Sequence, residues 1–191
     1  MPKIAITRKI PGNGIKMLQD AGYEVVVSPH DRALERSELL NFIQGADGVL
    51  TQLTDKVDEE FINAAGPNLK IVANYAVGFD NLDLPDLISH NVVATNTPDV
   101  LTEAVAEHAF ALIMAITRRI VEAHKLALNQ DSKFGPEVLL GMELKGKVLG
   151  VLGLGRIGGR VAEIGKAMGM EVIYYDIKQN PDFETKVEAQ F

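Results

Sequence analysis

One stretch constrains this chain more than any other. Lys147-Val148-Leu149-Gly150-Val151-Leu152 reads as a buried strand and runs into Gly153-Leu154-Gly155-Arg156-Ile157-Gly158, a G-x-G-x-x-G. Ile157, Val161, Ile164 and Met168 follow at spacings of 4, 3 and 4, one face of a helix, and Gly169 stands where a helix-ending glycine belongs. Glu171-Val172-Ile173-Tyr174-Tyr175 is then a second strand, ending in Asp176, 23 positions past Gly153. A lone G-x-G-x-x-G is weak evidence. Strand, glycine turn, helix, strand and acidic residue together make the unit that binds a dinucleotide.

Each position has a physical reason. Gly153 permits the tight turn off the strand, Gly155 lets a pyrophosphate approach the backbone, and Gly158 lets the helix pack closely on the strand. The first N–H groups of the helix, around Leu154, Arg156 and Ile157, face the phosphates with positive dipole charge. The Arg156 side chain has two readings, a phosphate contact or a charge pointing into solvent; its backbone carries the expected role. Asp176 accepts hydrogen bonds from ribose hydroxyls and repels a 2′-phosphate, which favours NAD over NADP.

Upstream, short β-prone runs alternate with helical ones. Strands are expected over Lys3–Thr7, Tyr23–Val27, Asp47–Thr51, Leu69–Ala73 and Val92–Ala94, and helices over Gly14–Ala21, Leu34–Ile43, Asp58–Ala65 and Leu84–Ser89. Regular alternation predicts a parallel sheet covered by helices. Thr97-Pro98-Asp99 breaks the pattern and marks a domain boundary near Pro98. A long helix is expected from about Thr102 to Leu128, capped by Asp99 or Thr102. Its section Ala109–Ile116 is apolar on every face and predicts burial all round, by a sheet and by a second chain or simply within a core. Residues 129–146 read as a loop.

Composition excludes several classes. The net charge is -7, apolar residues make up 47% and charged residues 24%, so the chain is globular and a poor partner for nucleic acid. It has no cysteine, which removes disulfide scaffolds, thiolate metal sites and cysteine nucleophiles, and which fits a cytoplasmic setting. No signal-peptide pattern and no apolar stretch near the roughly 20 residues of a membrane span is present. The histidines His30, His90, His108 and His124 have no metal-ligand spacing. His30 and His90 are expected on the surface, and His108 as a core histidine rather than a catalytic one.

The segment Asn74-Tyr75-Ala76-Val77-Gly78-Phe79-Asp80-Asn81-Leu82-Asp83 follows the fourth strand, at the end where parallel sheets bind ligands. Its residues alone fit an ordinary strand-to-helix turn as well as an anion nest around Gly78.

Taken with that segment, Ile6-Thr7-Arg8-Lys9-Ile10-Pro11, Asn96-Thr97-Pro98-Asp99-Val100-Leu101-Thr102 and Leu144-Lys145-Gly146-Lys147 before the glycine turn, the chain resembles the D-isomer-specific 2-hydroxyacid dehydrogenases, nearest their glyoxylate/hydroxypyruvate reductase branch. The resemblance covers nearly the whole chain. It implies an α/β fold, with a flavodoxin-like substrate domain over 1–98 and the first part of a Rossmann nucleotide-binding domain over 99–191, and an active site in a cleft. It implies that the backbone of Ala76, Val77 and Gly78 holds a substrate carboxylate, that Leu53 lines the same pocket, that Thr102 lies near the cofactor, and that the long helix builds a homodimer.

The activity implied is hydride transfer between NAD(H) and a small 2-oxo or 2-hydroxy acid. The family's catalytic Arg, Glu and His are expected beyond Phe191, so no catalytic residue is assigned here, and the 191-residue chain is expected to be an inactive N-terminal part. Relatives that use NADP often carry a Ser-Arg or Arg-type pair where this chain has Asp176-Ile177. A non-enzymatic NAD-sensing, corepressor-like module and a truncated inactive product are the alternatives.

Overall fold

A computed structural model describes residues 1–129 and 135–191, in two compact units, Met1–Pro98 and Asp99–Phe191. Part of the expected loop 129–146 thus lies outside the described residues.

The first unit alternates β1 (Lys3–Ile6), α1 (Gly14–Asp20), β2 (Glu24–Val27), α2 (Arg36–Phe42), β3 (Gly48–Thr51), α3 (Glu59–Ala65), β4 (Ile71–Asn74), α4 (Leu84–Ser89) and β5 (Val93–Thr95). All pairings are parallel, in the order β2-β1-β3-β4-β5, which is the flavodoxin-like order. Val49 and Val72 of the sheet, Leu39 of α2, Phe61, Ile62 and Ala65 of α3 and Leu87 of α4 share one core.

The helix starts follow from local chemistry. Asp58 caps α3, its carboxylate accepting the Phe61 N–H at 3.1 Å, and Asp83 caps α4 through the Asp86 N–H at 3.1 Å. Arg36 reaches across from α2 to Asp58 and Glu60. Burial alone would raise the Asp58 carboxyl, but the hydrogen bonds from Arg36 and Phe61 outweigh it and hold the carboxyl below its ordinary value. In α2, Glu35 and Glu38 form a reciprocal capping box.

The second unit runs α5 (Thr102–Thr117), α6 (Ile120–Leu128), β6 (Val148–Leu152), α7 (Arg156–Ala167), β7 (Glu171–Tyr175), α8 (Pro181–Val187) and β8 (Ala189–Gln190). Its parallel sheet has the order β6-β7-β8. Asn180 caps α8, accepting the Phe183 N–H at 3.1 Å, with Pro181 in the first turn. Sequence reading stopped at Asp176 and missed α8 and β8, although Asn180-Pro181 is a helix-start signal.

Several expectations are corrected here. The long helix is two helices. Arg119 sits at φ 53 in the left-handed region, and the Thr117 carbonyl, which a continuous helix would offer to Val121, accepts the Met142 N–H at 2.8 Å instead. Neither Asp99 nor Thr102 caps α5; its N-cap is Leu101, without a side-chain bond.

The section Ala109–Ile116 is not buried all round in this chain. Phe110 packs with Leu144, Met170, Val161 and Ile164, while Leu112 and Ile116 are 51% and 76% exposed. His108 is exposed, not a core histidine, because it falls on the helix face away from Phe110. The strand 147–152 is not buried either. In β6 only Val151 is buried and Leu152 is 88% exposed, because among the described residues β6 pairs with β7 alone and only one face of this sheet is packed.

In α7 the sheet contact is made by Ala162 and Gly165, where a Cβ on Gly165 would stand 2.4 Å from Leu149. Val161 and Ile164 turn toward Phe110, and Met168 is exposed beyond the helix end.

Candidate functional site

The glycine turn of the second unit is built from the end of β6. Gly153 has φ +90, a conformation that glycine reaches without steric cost, and its N–H donates to Tyr175 O at 2.8 Å. Gly155 is the N-cap of α7, and a Cβ there would meet nothing within 4 Å, so its surface is open for a ligand's approach. Gly158 is different. A Cβ would lie 2.0 Å from the Gly153 carbonyl oxygen and 3.3 Å from Val151, so the loop closes against the helix only because this position has no side chain.

Asp176 is half-buried beside the loop. One carboxylate oxygen accepts the Leu154 N–H at 2.5 Å and the other the Ile177 N–H at 2.6 Å. These bonds fix its position at the mouth of the turn and leave further lone pairs for a ligand. The N–H groups of Arg156 and Ile157, in the first turn of α7, have no acceptor among the described residues. Ile157 itself is half-buried, and Leu154 packs on the core of Val151, Ala162 and Val172.

Beside this turn lies a cleft of about 470 Å³ whose lining includes Thr102, Leu154, Gly155, Arg156 and Arg160. The Arg156 side chain is 61% exposed, the solvent-facing one of its two expected courses. Its Nε pairs with Asp99 at 2.9 Å, and Asp99 itself sits at φ 69. Arg160 pairs with Glu103 at 2.7 Å and Glu163 at 2.9 Å. Hydrogen bonds from Lys186 and then Arg160 hold the Glu163 carboxyl below its ordinary value. Open backbone donors, a bare Gly155 and an anchored carboxylate fit a dinucleotide's pyrophosphate and ribose.

In the first unit the segment 74–83 is more than a turn. Asn74, 2% exposed, is the hub at the end of β4. It accepts from Thr51 Oγ1 at 3.0 Å and donates to Gly78 O at 2.9 Å and Asn81 Oδ1 at 3.0 Å. Asn81 Nδ2 donates to Asp55 O at 2.9 Å and Gln52 O at 3.2 Å. Asp55 in turn accepts from Thr7 Oγ1 at 2.5 Å and Gln52 N at 2.8 Å. Sequence reading quoted Asn74 and Asn81 but assigned neither a positioning role; two amides seven residues apart after a strand were the available signal.

This network and Asn96 hold three of the expected residues, Ala76, Val77 and Gly78, in place. The N–H groups of Val77 and Gly78 have no acceptor among the described residues, while their carbonyls are held by Asn96 Nδ2 at 2.8 Å and by Asn74. Ala76 is different: it is buried, and its N–H is spent on Asn74 O at 2.8 Å. Leu53 is exposed, its Cδ2 standing 3.8 Å from where a Gly78 Cβ would be. Two adjacent open amides beside an apolar side chain can hold a small carboxylate. Gly78 is not at positive φ, so its value is room rather than backbone freedom. Nearby, Gln52 Nε2 is buried without a hydrogen-bond partner among the described residues.

His30, His90, His108 and His124 are all exposed. Among the described residues no group of three or more His, Cys, Asp or Glu could hold a metal, and no helix is long and apolar enough to cross a membrane.

Known proteins resemble this chain in sequence and in fold. The family model for the D-isomer specific 2-hydroxyacid dehydrogenase catalytic domain matches residues 4–186. A glyoxylate reductase of Thermococcus litoralis is 43% identical over 195 residues, covering 100% of this chain and 58% of the relative. The TT0316 protein of Thermus thermophilus superposes with a TM-score of 0.88 at 38% identity, over 94% of this chain and 57% of that one. D-lactate dehydrogenase from Aquifex aeolicus, complexed with NAD and lactic acid, superposes with a TM-score of 0.72 at 31% identity, over 96% of this chain and 54% of that one. The chain thus spans less than two thirds of the length of the relatives it matches.

Proposed function

Because the chain belongs to the D-isomer specific 2-hydroxyacid dehydrogenase family, we propose that it forms the substrate domain, 1–98, and the first part of the NAD-binding domain, 99–191, of an oxidoreductase acting on a small 2-oxo or 2-hydroxy acid. Glyoxylate and hydroxypyruvate are the expected substrates, in line with the glyoxylate reductases among its relatives. The observation that carries this reading is the pair of open amides at Val77 and Gly78, held by Asn96 and by the Asn74–Asn81 network.

The Val77 and Gly78 N–H groups bind the substrate carboxylate, and Leu53 covers it. Gly153, Leu154, Gly155, Arg156, Ile157 and Gly158 cradle the pyrophosphate through backbone N–H groups and close approach. Asp176 orients the adenosine ribose and disfavours a 2′-phosphate, so NAD is preferred over NADP. Thr102 lines the cleft beside the turn. Bound NAD(H) supplies or accepts the hydride. Proton transfer needs an acid–base residue that these elements do not contain, and the family's Arg, Glu and His are expected outside residues 1–191.

The exposed apolar face of α5 and α6, with Leu112, Ile116, Ile120 and Val121, is the proposed homodimer surface. The test is an assay of the full-length enzyme bearing this sequence with NADH and with glyoxylate, hydroxypyruvate and pyruvate in turn. Turnover with glyoxylate or hydroxypyruvate supports the reading; NADH binding with no turnover on any 2-oxo acid supports the sensing alternative.

A further inference from the structure

The proposed function leaves a second cleft of the first unit without a role. The loops that leave the carboxyl ends of β1 and β2, neighbouring parallel strands in register at Ile6 and Val27, enclose a space of about 540 Å³. Its lining includes Lys9, Ile10, Val27, Ser28 and His30, with Pro11 and Pro29 as stiff walls. The volume is within the range of small-molecule sites. None of these residues belongs to the loop 76–78 or to the turn at Leu53.

We infer that this cleft binds a phosphoryl dianion, carried by a small phosphorylated metabolite or present as free inorganic phosphate. Ser28 is 5% exposed, its N–H is spent on Ile6 O at 2.9 Å, and its Oγ accepts the His30 N–H at 3.3 Å. The hydroxyl proton of Ser28 has no acceptor among the described residues, which leaves a buried donor unspent in a wall of the cleft.

The charges point the same way. Asp31, the one carboxylate in the lining, is occupied by Arg8, whose Nε stands 2.9 Å from its Oδ1 and whose Nη2 donates to its carbonyl at 3.1 Å. That bridge also ties the two loops together. Lys9 has no carboxylate partner among the described residues, and the His30 imidazole adds a second nitrogen donor. A positive spot of this kind stands out on a chain of net charge -7. Ile10 and Val27 supply an apolar wall against which the body of a phosphate ester would rest.

The test is a titration of the 191-residue chain with inorganic phosphate and, separately, glycerol phosphate, followed by amide chemical shifts, with potassium chloride at matched ionic strength as control. Saturable shifts at Lys9, Ser28 and His30 are expected in at least one phosphate arm and absent with chloride. A tighter response to glycerol phosphate identifies an esterified ligand, and equal responses identify free phosphate. Lys9→Gln, a change at an exposed position, should weaken binding roughly tenfold. Ser28→Ala should weaken it with the remaining amide spectrum unchanged. Shifts that rise linearly and follow chloride, or an affinity that Lys9→Gln leaves intact, would overturn the inference.

Discussion

Gly155 and Gly158 lie three residues apart and should fail in opposite ways when given a methyl group. At Gly158 the new Cβ would stand 2.0 Å from a backbone oxygen, so Gly158→Ala should destabilise the second unit by about 2 kcal/mol or more. Gly155 has open space and an ordinary φ of -71; Gly155→Ala should melt like the parent but bind NADH more weakly. Thermal melts beside NADH titrations separate the two. At Gly78 a single Cβ fits, with Leu53 3.8 Å away, and only a branched side chain crowds the open amides. Gly78→Val should therefore raise KM for the oxo acid in the full-length enzyme and leave NADH affinity nearly unchanged; a fall in NADH affinity with KM unmoved would assign the loop to the other ligand. Asp176→Ser should narrow the preference for NADH over NADPH in kcat/KM, and equal use of NADPH by the unsubstituted enzyme would remove the role given to Asp176. The glycines of the turn were legible in the sequence because each has a steric reason that neighbouring residues cannot mask. The Arg156–Asp99 pair was not, because it depends on where a separate loop, with Asp99 at positive φ, brings its carboxylate.

Among the elements, α2 carries the clearest acid-sensitive contact. Hydrogen bonds from the Arg32 guanidinium and then from the Glu35 N–H hold the Glu38 carboxyl down to about 2. A folded value below the unfolded one, about 4.3, gives stability that is present above about pH 4.3 and lost as pH falls toward 2. Melting temperatures between pH 5 and pH 2 should therefore drop more steeply for the parent than for Glu38→Gln. A parallel drop in both would mean that the box contributes nothing measurable. The alternation of β-prone and helical runs, punctuated by glycine and proline, located every strand and helix of the first unit. Periodicity failed over residues 102–128, where apolar side chains continue through the break at Arg119 and the capture of the Thr117 carbonyl by Met142 comes from a residue 25 positions away. It also made β6 buried, since a run of apolar residues reads alike in a central strand and in an edge strand.

For the molecule as a whole, the first unit gathers fourteen buried residues in one core, whereas among the described residues the second has separate cores of five and three. Hydrogen exchange should show slower amides in β1, β3 and β4 than in β6 and β7. The 191-residue chain alone should give no NADH-dependent reduction of glyoxylate, since among the described residues neither the loop 76–78 nor the glycine turn has an acid–base pair beside it; turnover near ordinary dehydrogenase rates would refute that assignment of the chemistry. The first unit also has a simple relation to synthesis. Among the described residues, every strand of its sheet finds its neighbours between Met1 and Pro98. At about 5–20 residues per second, the ribosome needs roughly 3–11 seconds more to reach the glycine turn. Small domains fold faster than that, so the first unit is expected to be native on the ribosome while the second is still being made.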